Sequence, residues 1–248
     1  FENFDPDTPF GSAPIDRVEF SDGTVLGKNQ LLSLGLEISG TDEGETLEGT
    51  TLDDRISGRG GGDYLYGRGG SDLLKGGAGP DTISGNEGGD ERFGGKGSDS
   101  LSDGEGDNRF YGGAGDDALQ AGDGTDRLFG ERGDDRFFGG YGPDTLVGGQ
   151  GDDLYSLSLA DVFGKQRIST DGDRIVEAPE EGTDRVRLEI DDQVLDEYPD
   201  LDFTLPEHVE NLKMGLRSIP VSGNSLDNRM EGNFSRNVFF GKAGDDIL

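Results

Sequence analysis

Large apolar residues recur at every ninth position between Gly40 and Ser156: Leu47, Ile56, Leu65, Leu74, Ile83, Leu101, Phe110, Leu119, Leu128, Phe137, Leu146 and Tyr155. Arg92 is the single charged residue in that series. Their neighbours are mostly polar or small. A spacing of nine is neither the helical period nor a long alternation of inward and outward residues. It predicts short strands of the form x-U-x, with U a large apolar residue, separated by turns. The stretch divides into thirteen nonapeptides without insertion or deletion. A fixed short period of this kind belongs to a stacked repeat architecture, in which each unit buries its apolar residue against its neighbours.

The other positions of the unit are as regular. One unit reads Gly76-Gly77-Ala78-Gly79-Pro80-Asp81-Thr82-Ile83-Ser84 and another Gly112-Gly113-Ala114-Gly115-Asp116-Asp117-Ala118-Leu119-Gln120. The template is G-G-x-G-x-D-x-U-x. Its sixth position is filled in turn by Glu45, Asp54, Asp63, Asp72, Asp81, Asp90, Asp99, Asn108, Asp117, Asp126, Asp135, Asp144 and Asp153. Glycines in a tight turn supply positive φ and close backbone approach. They leave carbonyl oxygens pointing into the turn, and the sixth-position carboxylate adds a hard ligand. Calcium takes six to eight such oxygens and tolerates mixed carbonyl and carboxylate shells.

Composition sharpens this picture. Lys+Arg number 22 against 53 Asp+Glu, for a formal net charge of -31, and only 30% of residues are hydrophobic. A chain so acidic and so poor in apolar surface stays expanded unless cations neutralise it. The same charge argues against nucleic-acid and anionic-membrane partners. No apolar run approaches the ~18 residues of a membrane span. There is no Cys, so neither a disulfide framework nor thiolate ligands for zinc are present.

These nonapeptides resemble the RTX family, the haemolysin-type calcium-binding repeats of secreted bacterial proteins. The resemblance implies an all-β fold, a right-handed parallel β-roll, here with short flanking β segments. Consecutive strands pass to opposite sheets, so two units make one coil of ~18 residues, stacked at ~4.8 Å. In such a roll each ion lies between the turns of units n and n+2. The implied ligands are the carboxyl or amide groups of Asp54, Asp63, Asp72, Asp81, Asp90, Asp99, Asn108, Asp117, Asp126, Asp135, Asp144, Asp153 and Asp246. Backbone carbonyls such as those of Gly58, Gly60, Gly76, Ala78, Gly94, Lys96, Gly112, Ala114, Gly130 and Arg132 complete the shells. One row of sixth positions is unbroken from Asp63 to Asp153, and Asn108 interrupts the other. The expected load is about eight to ten calcium ions.

The flanks divide the chain into residues 1–39, the end of a preceding module with a hairpin at Asp22-Gly23-Thr24; 40–156, the repeat array; 157–222, a β-rich linker or capping segment; and 223–248, the start of a second, truncated array. In the last of these, Asn228 and Asn237 stand in place of Asp and are expected to close their turns by amide hydrogen bonds. The truncation is expected to reflect a longer parent chain.

Other features carry less. The G-x-G-x-x-G matches fall inside the repeat and lack a βαβ context. His208 is the only histidine, and a turn or packing role is expected for it. Arg132-Gly133-Asp134 falls across repeat positions, and Asp171-Gly172-Asp173 is too short for an EF-hand. The acids from Asp191 to Asp202 are expected to form a solvated loop. Arg92 is expected to be a local defect whose stem bends outward toward Glu91 or Glu87 under Phe93, so that Arg92→Leu would stabilise. The resemblance implies a secreted or cell-surface, non-enzymatic module. It would fold on meeting external calcium and support a larger type I-secreted protein, with the parent chain and the secretion machinery as partners. A surface adhesin, an S-layer or the carbohydrate-holding arm of a polysaccharide-modifying enzyme is the alternative, with Tyr64, Tyr66, Phe93, Tyr111, Phe129 and Phe138 as sugar-stacking residues.

Overall fold

The computed structural model describes residues 35–159, 173–179, 181–190 and 201–248, together with the backbone of Arg17–Glu19 and Val25–Gly27. The hairpin turn at Asp22-Gly23, the Asp171-Gly172 step and most of the acidic stretch from Asp191 lie outside these residues. Arg17–Glu19 and Val25–Gly27 pair antiparallel.

All other strand pairs are parallel. One wall is a ten-stranded sheet that runs from Thr46–Glu48 through Tyr64–Gly69, Thr82–Glu87, Ser100–Ser102, Ala118–Gln120, Arg136–Phe138, Leu154–Leu159, Arg185–Ile190 and Asn211–Met214 to Arg229–Glu231. The facing wall is an eight-stranded sheet from Glu37–Ser39 to Arg174–Val176, and a three-stranded sheet of Phe203–Thr204, Pro220–Ser222 and Val238–Phe240 follows it in the chain. The array is a parallel β-roll. Partners such as Leu101 and Leu119, or Phe110 and Leu128, differ by 18 in sequence, so two nonapeptides form one coil.

Within the array every described eighth-position side chain from Ile56 to Tyr155 is buried and faces the thin interior between the walls. The strands occupy positions seven to nine and in many coils continue through positions one to three of the next unit, as in Arg55–Gly60 and Leu73–Ala78. The fourth position reverses the chain. Gly61, Gly79, Gly97, Gly115, Gly133 and Gly151 all have φ between 100 and 134°, a region that costs side-chain-bearing residues energy. The first position is constrained differently. A Cβ on Gly58, Gly76 or Gly94 would fall on Oδ2 of the aspartate five residues later.

The roll does not stop where the nine-residue phase is lost. Tyr155 pairs with Val186, and Val186 with Leu212, at sequence offsets that differ from 18, before Leu212 and Met230 restore it. The strands keep the same wall across these longer offsets. Leu157, Val186, Leu188, Leu212 and Met214 continue the buried interior.

Arg92 departs from expectation. Its side chain points into the core and is 0% exposed. The guanidinium pairs with the carboxylate of Asp103, donates to the Ser102 carbonyl at 3.1 Å and lies 3.6 Å from Asp90 Oδ2. It also sits 4.2 Å from the centroid of the Phe110 ring, a cation–π contact. Asp103 occupies a first position where most units carry Gly. Its carboxylate enters the turn and supplies the partner that an outward stem would have sought in solvent. Phe93 does not cover a gap; it stacks on Tyr111 at 4.6 Å outside the core.

Candidate metal centre

The sixth-position aspartates are aligned by the same 18-residue register as the strands. The backbone N–H of Asp63 donates to Oδ1 of Asp81 at 2.8 Å, that of Asp81 to Asp99, Asp99 to Asp117, Asp117 to Asp135 and Asp135 to Asp153. The other row repeats this from Asp54 through Asp72, Asp90, Asn108 and Asp126 to Asp144. Each carboxylate therefore uses one oxygen to clamp the coil below it.

The second oxygen is the informative one. Oδ2 of Asp63, Asp72, Asp81, Asp90, Asp99, Asp117, Asp126, Asp135 and Asp153 is buried and has no hydrogen-bond partner, that of Asp90 lying 3.6 Å from the Arg92 guanidinium. Buried polar atoms are nearly always paired, so a regular series of exceptions marks a missing partner of another kind. Asn108 shows what that partner must be. Its Oδ1 accepts from Asp90 N–H like the aspartates beside it, but its Nδ2 donates to the Gly106 carbonyl at 2.9 Å. A donor at this place is satisfied by a turn carbonyl. An oxygen at the same place meets an acceptor, and a bound cation reconciles the two.

Electrostatics agree. Burial pushes Asp81 up to about 6, Asp72, Asp117 and Asp153 to about 7 and Asp135 to about 8, with carboxylates of the neighbouring coils adding to the effect. Asp99 is also raised by burial. Asp90 and Asp126 are raised by burial too, offset in part by the nearby Arg92 charge. These are groups for which the charged form is costly without a counter-ion.

The ends of the array differ from its middle. Both oxygens of Asp54 are partnered: Oδ1 accepts from Leu36 N–H, and Oδ2 from the backbone and hydroxyl of Thr50. Asp246 is half-buried and accepts from Asn228 N–H at 2.9 Å. Asn228 and Asn237 close their turns through Nδ2, which donates to Val209 and Glu210 carbonyls in the first case and to Asn233 and Ser235 carbonyls in the second. Of the carbonyls singled out in sequence, those of Lys96, Ala114 and Arg132 each accept a backbone hydrogen bond from the coil below, leaving one lone pair apiece.

Sequence reasoning missed the continuation of the rows. Asp144 N–H donates to Asp173, Asp153 N–H to Asp184, and Asp184 N–H to Glu210. A signal existed: Asp173-Arg174-Ile175 and Asp184-Arg185-Val186 repeat the acid, Arg, apolar order of Asp126-Arg127-Leu128. It also missed an outer ladder at the fifth position. There Asp134 N–H donates to Asp116 and Asp152 N–H to Asp134, in the opposite direction along the stack. Asp134 of the Arg-Gly-Asp tripeptide is thus a rung of this ladder. His208 lies in a turn at φ 65° and is half-buried.

The proposed sugar-stacking aromatics are arranged otherwise than as a platform. Phe93, Tyr111 and Phe129 stack face to face at 4.6 and 5.1 Å, with Lys75 5.6 Å from the Phe93 centroid. Their ring faces are occupied by one another. Tyr64 and Phe138 are exposed.

A parallel roll with two internal rows of buried aspartates, many with one carboxylate oxygen lacking a hydrogen bond, closed by glycine turns, has the build of a cation-binding repeat solenoid. The family described as RTX calcium-binding nonapeptide repeat matches residues 39–74, 66–101, 93–128, 120–155 and 222–248. These segments cover more than half of the chain, and the chain belongs to that family. None of the curated proteins matches it.

Proposed function

We propose that this chain is a calcium-dependent folding module of a secreted protein, extended and acidic in the low calcium of a cell interior and coiled into the roll outside it. The observation that carries the reading is the row of buried Oδ2 atoms without a hydrogen bond at Asp63, Asp81, Asp99, Asp117, Asp135 and Asp153. Ions held there would be ligated by those oxygens, by the stacked aspartate of the adjacent coil and by first- and third-position carbonyls such as Gly76 and Ala78 or Gly112 and Ala114. A bound calcium supplies the positive charge that lets these carboxylates be buried. With about eight to ten such ions, much of the formal charge of -31 is cancelled on folding. Because the site forms only when two coils stack, binding free energy is folding free energy. RTX repeat proteins are typically secreted, and export of an unfolded chain by a type I system followed by folding in external calcium accords with this coupling.

The chain supports its parent rather than performing chemistry. It has no Cys and a single His, so a nucleophile–base pair is hard to assemble. Turnover of a polysaccharide or peptide by the purified chain would refute this part. The adhesive alternative rests on Tyr64 and Phe138, and a glycan array probed in calcium tests it. The central experiment is far-UV circular dichroism in chelator and after addition of ~1–10 mM calcium, the range of weak extracellular sites. At about pH 8, β signal should appear only with calcium, and magnesium should not replace it. A chain equally folded in chelator would overturn the proposal.

A further inference from the structure

The break in the nonapeptide phase adds a third acid, Glu177, to the row neighbours Asp153 and Asp184. Asp153 precedes Leu154–Leu159, and Asp184 precedes Arg185–Ile190, the next strand of the same wall. Glu177 follows Arg174–Val176, the last strand of the eight-stranded wall. A ligand oxygen from each lies within 4.8 Å of the other two. Asp153 is 1%, Glu177 8% and Asp184 1% exposed.

Their hydrogen bonds leave the cluster incomplete. Asp153 N–H donates to Asp184 Oδ1 at 2.9 Å, and the Tyr155 hydroxyl donates to Glu177 Oε1. Asp153 Oδ2 and Glu177 Oε2 remain buried without a partner. Among the described residues no Lys or Arg forms an ion pair with any of the three. Room for the cluster comes from Gly148, where a Cβ would meet Asp153 Oδ2, the Tyr155 hydroxyl and Glu177 Oε1 together. Glu177 stands where its unit would carry the first-position glycine, one coil beyond Gly148. Tyr155 is the only tyrosine among the eighth positions of the array.

We propose that Glu177, oriented by the Tyr155 hydroxyl, adds a third carboxylate to the calcium site between Asp153 and Asp184, making it tighter than the other sites of the row and pinning the end of the array to the coil that follows the phase break. The donor set is all oxygen, which selects a hard cation over zinc or copper. Three carboxylates bring one more negative charge than the two of a repeat turn, and calcium affinity rises with ligand charge. The site therefore fills before the repeat sites. The proposal rests on the reading of the chain as a calcium binder, and the test separates the two.

Calcium stoichiometry and affinity classes of the full chain are measured by equilibrium dialysis for wild type and Glu177→Gln, with circular dichroism in saturating calcium to follow folding. Glu177→Gln should keep the total count but move one ion from the tightest class into that of the repeat sites. A tightest class left intact overturns the role of Glu177 while leaving the repeat reading in place. Failure of the wild type to bind calcium removes both. If Glu177→Gln does not reach the wild-type spectrum, Glu177→Gly decides, because it restores the glycine of an ordinary repeat turn. It should keep the ion but merge it into the weaker class, and persistence of a separate tight class would overturn that role.

Discussion

Replacing Arg92 by Leu should destabilise the roll, although it restores the apolar residue that nearly all other units carry at that position. Arg92 is fully buried between Leu74 and Phe110 of the adjacent coils. Its guanidinium neutralises Asp103, itself buried, and lies 3.6 Å from Asp90 Oδ2. Removing one member of a buried pair costs about 3–5 kcal/mol, because the remaining charge is left uncompensated. Burial of the leucine returns about 1.5–3 kcal/mol. The net loss lies between about 0 and 3.5 kcal/mol, with a midpoint of ~2 kcal/mol that lowers Tm by roughly 4–8 °C for a chain of this size. Asp103→Gly alone should also destabilise, since it strands the guanidinium. The double variant Arg92→Leu with Asp103→Gly removes both charges and re-creates the common repeat unit. Exchange of a buried ion pair for well-packed apolar groups is often neutral or stabilising by about 1–4 kcal/mol, so its Tm should equal or exceed that of the wild type. The assay is thermal unfolding of all four proteins by circular dichroism at one fixed, saturating calcium concentration. A single Arg92→Leu variant as stable as wild type, or additive effects of the two changes, would refute the pairing argument.

Asp99 clamps the coil below through Oδ1 and offers Oδ2 to its own turn; Asp99→Ala should raise the calcium midpoint of folding roughly three- to tenfold, about 0.7–1.4 kcal/mol, and make the transition less steep, as read by calcium titration of the β signal. Asn108→Asp removes the amide that satisfies Gly106 and places an oxygen there instead. It should weaken the roll in chelator and lower the calcium midpoint, and a variant that titrates like wild type would contradict the assignment of that turn. Acid should partly replace calcium. Asp72, Asp117, Asp135 and Asp153 are pushed from 3.8 up to about 7 or 8 by burial, so in chelator the roll is favoured while they are protonated, fully so below about pH 4, and that stability is lost as pH rises through about 7 to 8. Circular dichroism in chelator from pH 8 down to pH 4 should show β structure gaining, and a flat profile would count against buried carboxylates as the obstacle to folding.

The period of nine determined most of the architecture by itself. In a solenoid each coil touches only its two neighbours, so the spacing of Leu65, Ile83 and Leu101 along the chain is also their spacing along the stack. Their inward direction followed from that local rule, and the resemblance to the repeat family added the pairing of turns 18 residues apart, which sorts the sixth-position aspartates into two rows. What it did not contain was any contact made by departing from it. Arg92 reads as a misplaced charge until the fold places Asp103, eleven residues on and at a first position, inside the same turn. Asp173, Glu177 and Asp184 sit in no common phase with Asp144 and Asp153, because the number of residues between stacked strands changes while the strands still stack in register. Chain length between coils is cheap to vary, since closing a longer loop costs only a slowly rising entropy. The hydrogen-bonded register between coils is not, and so only the tertiary structure shows which acids end up sharing one turn.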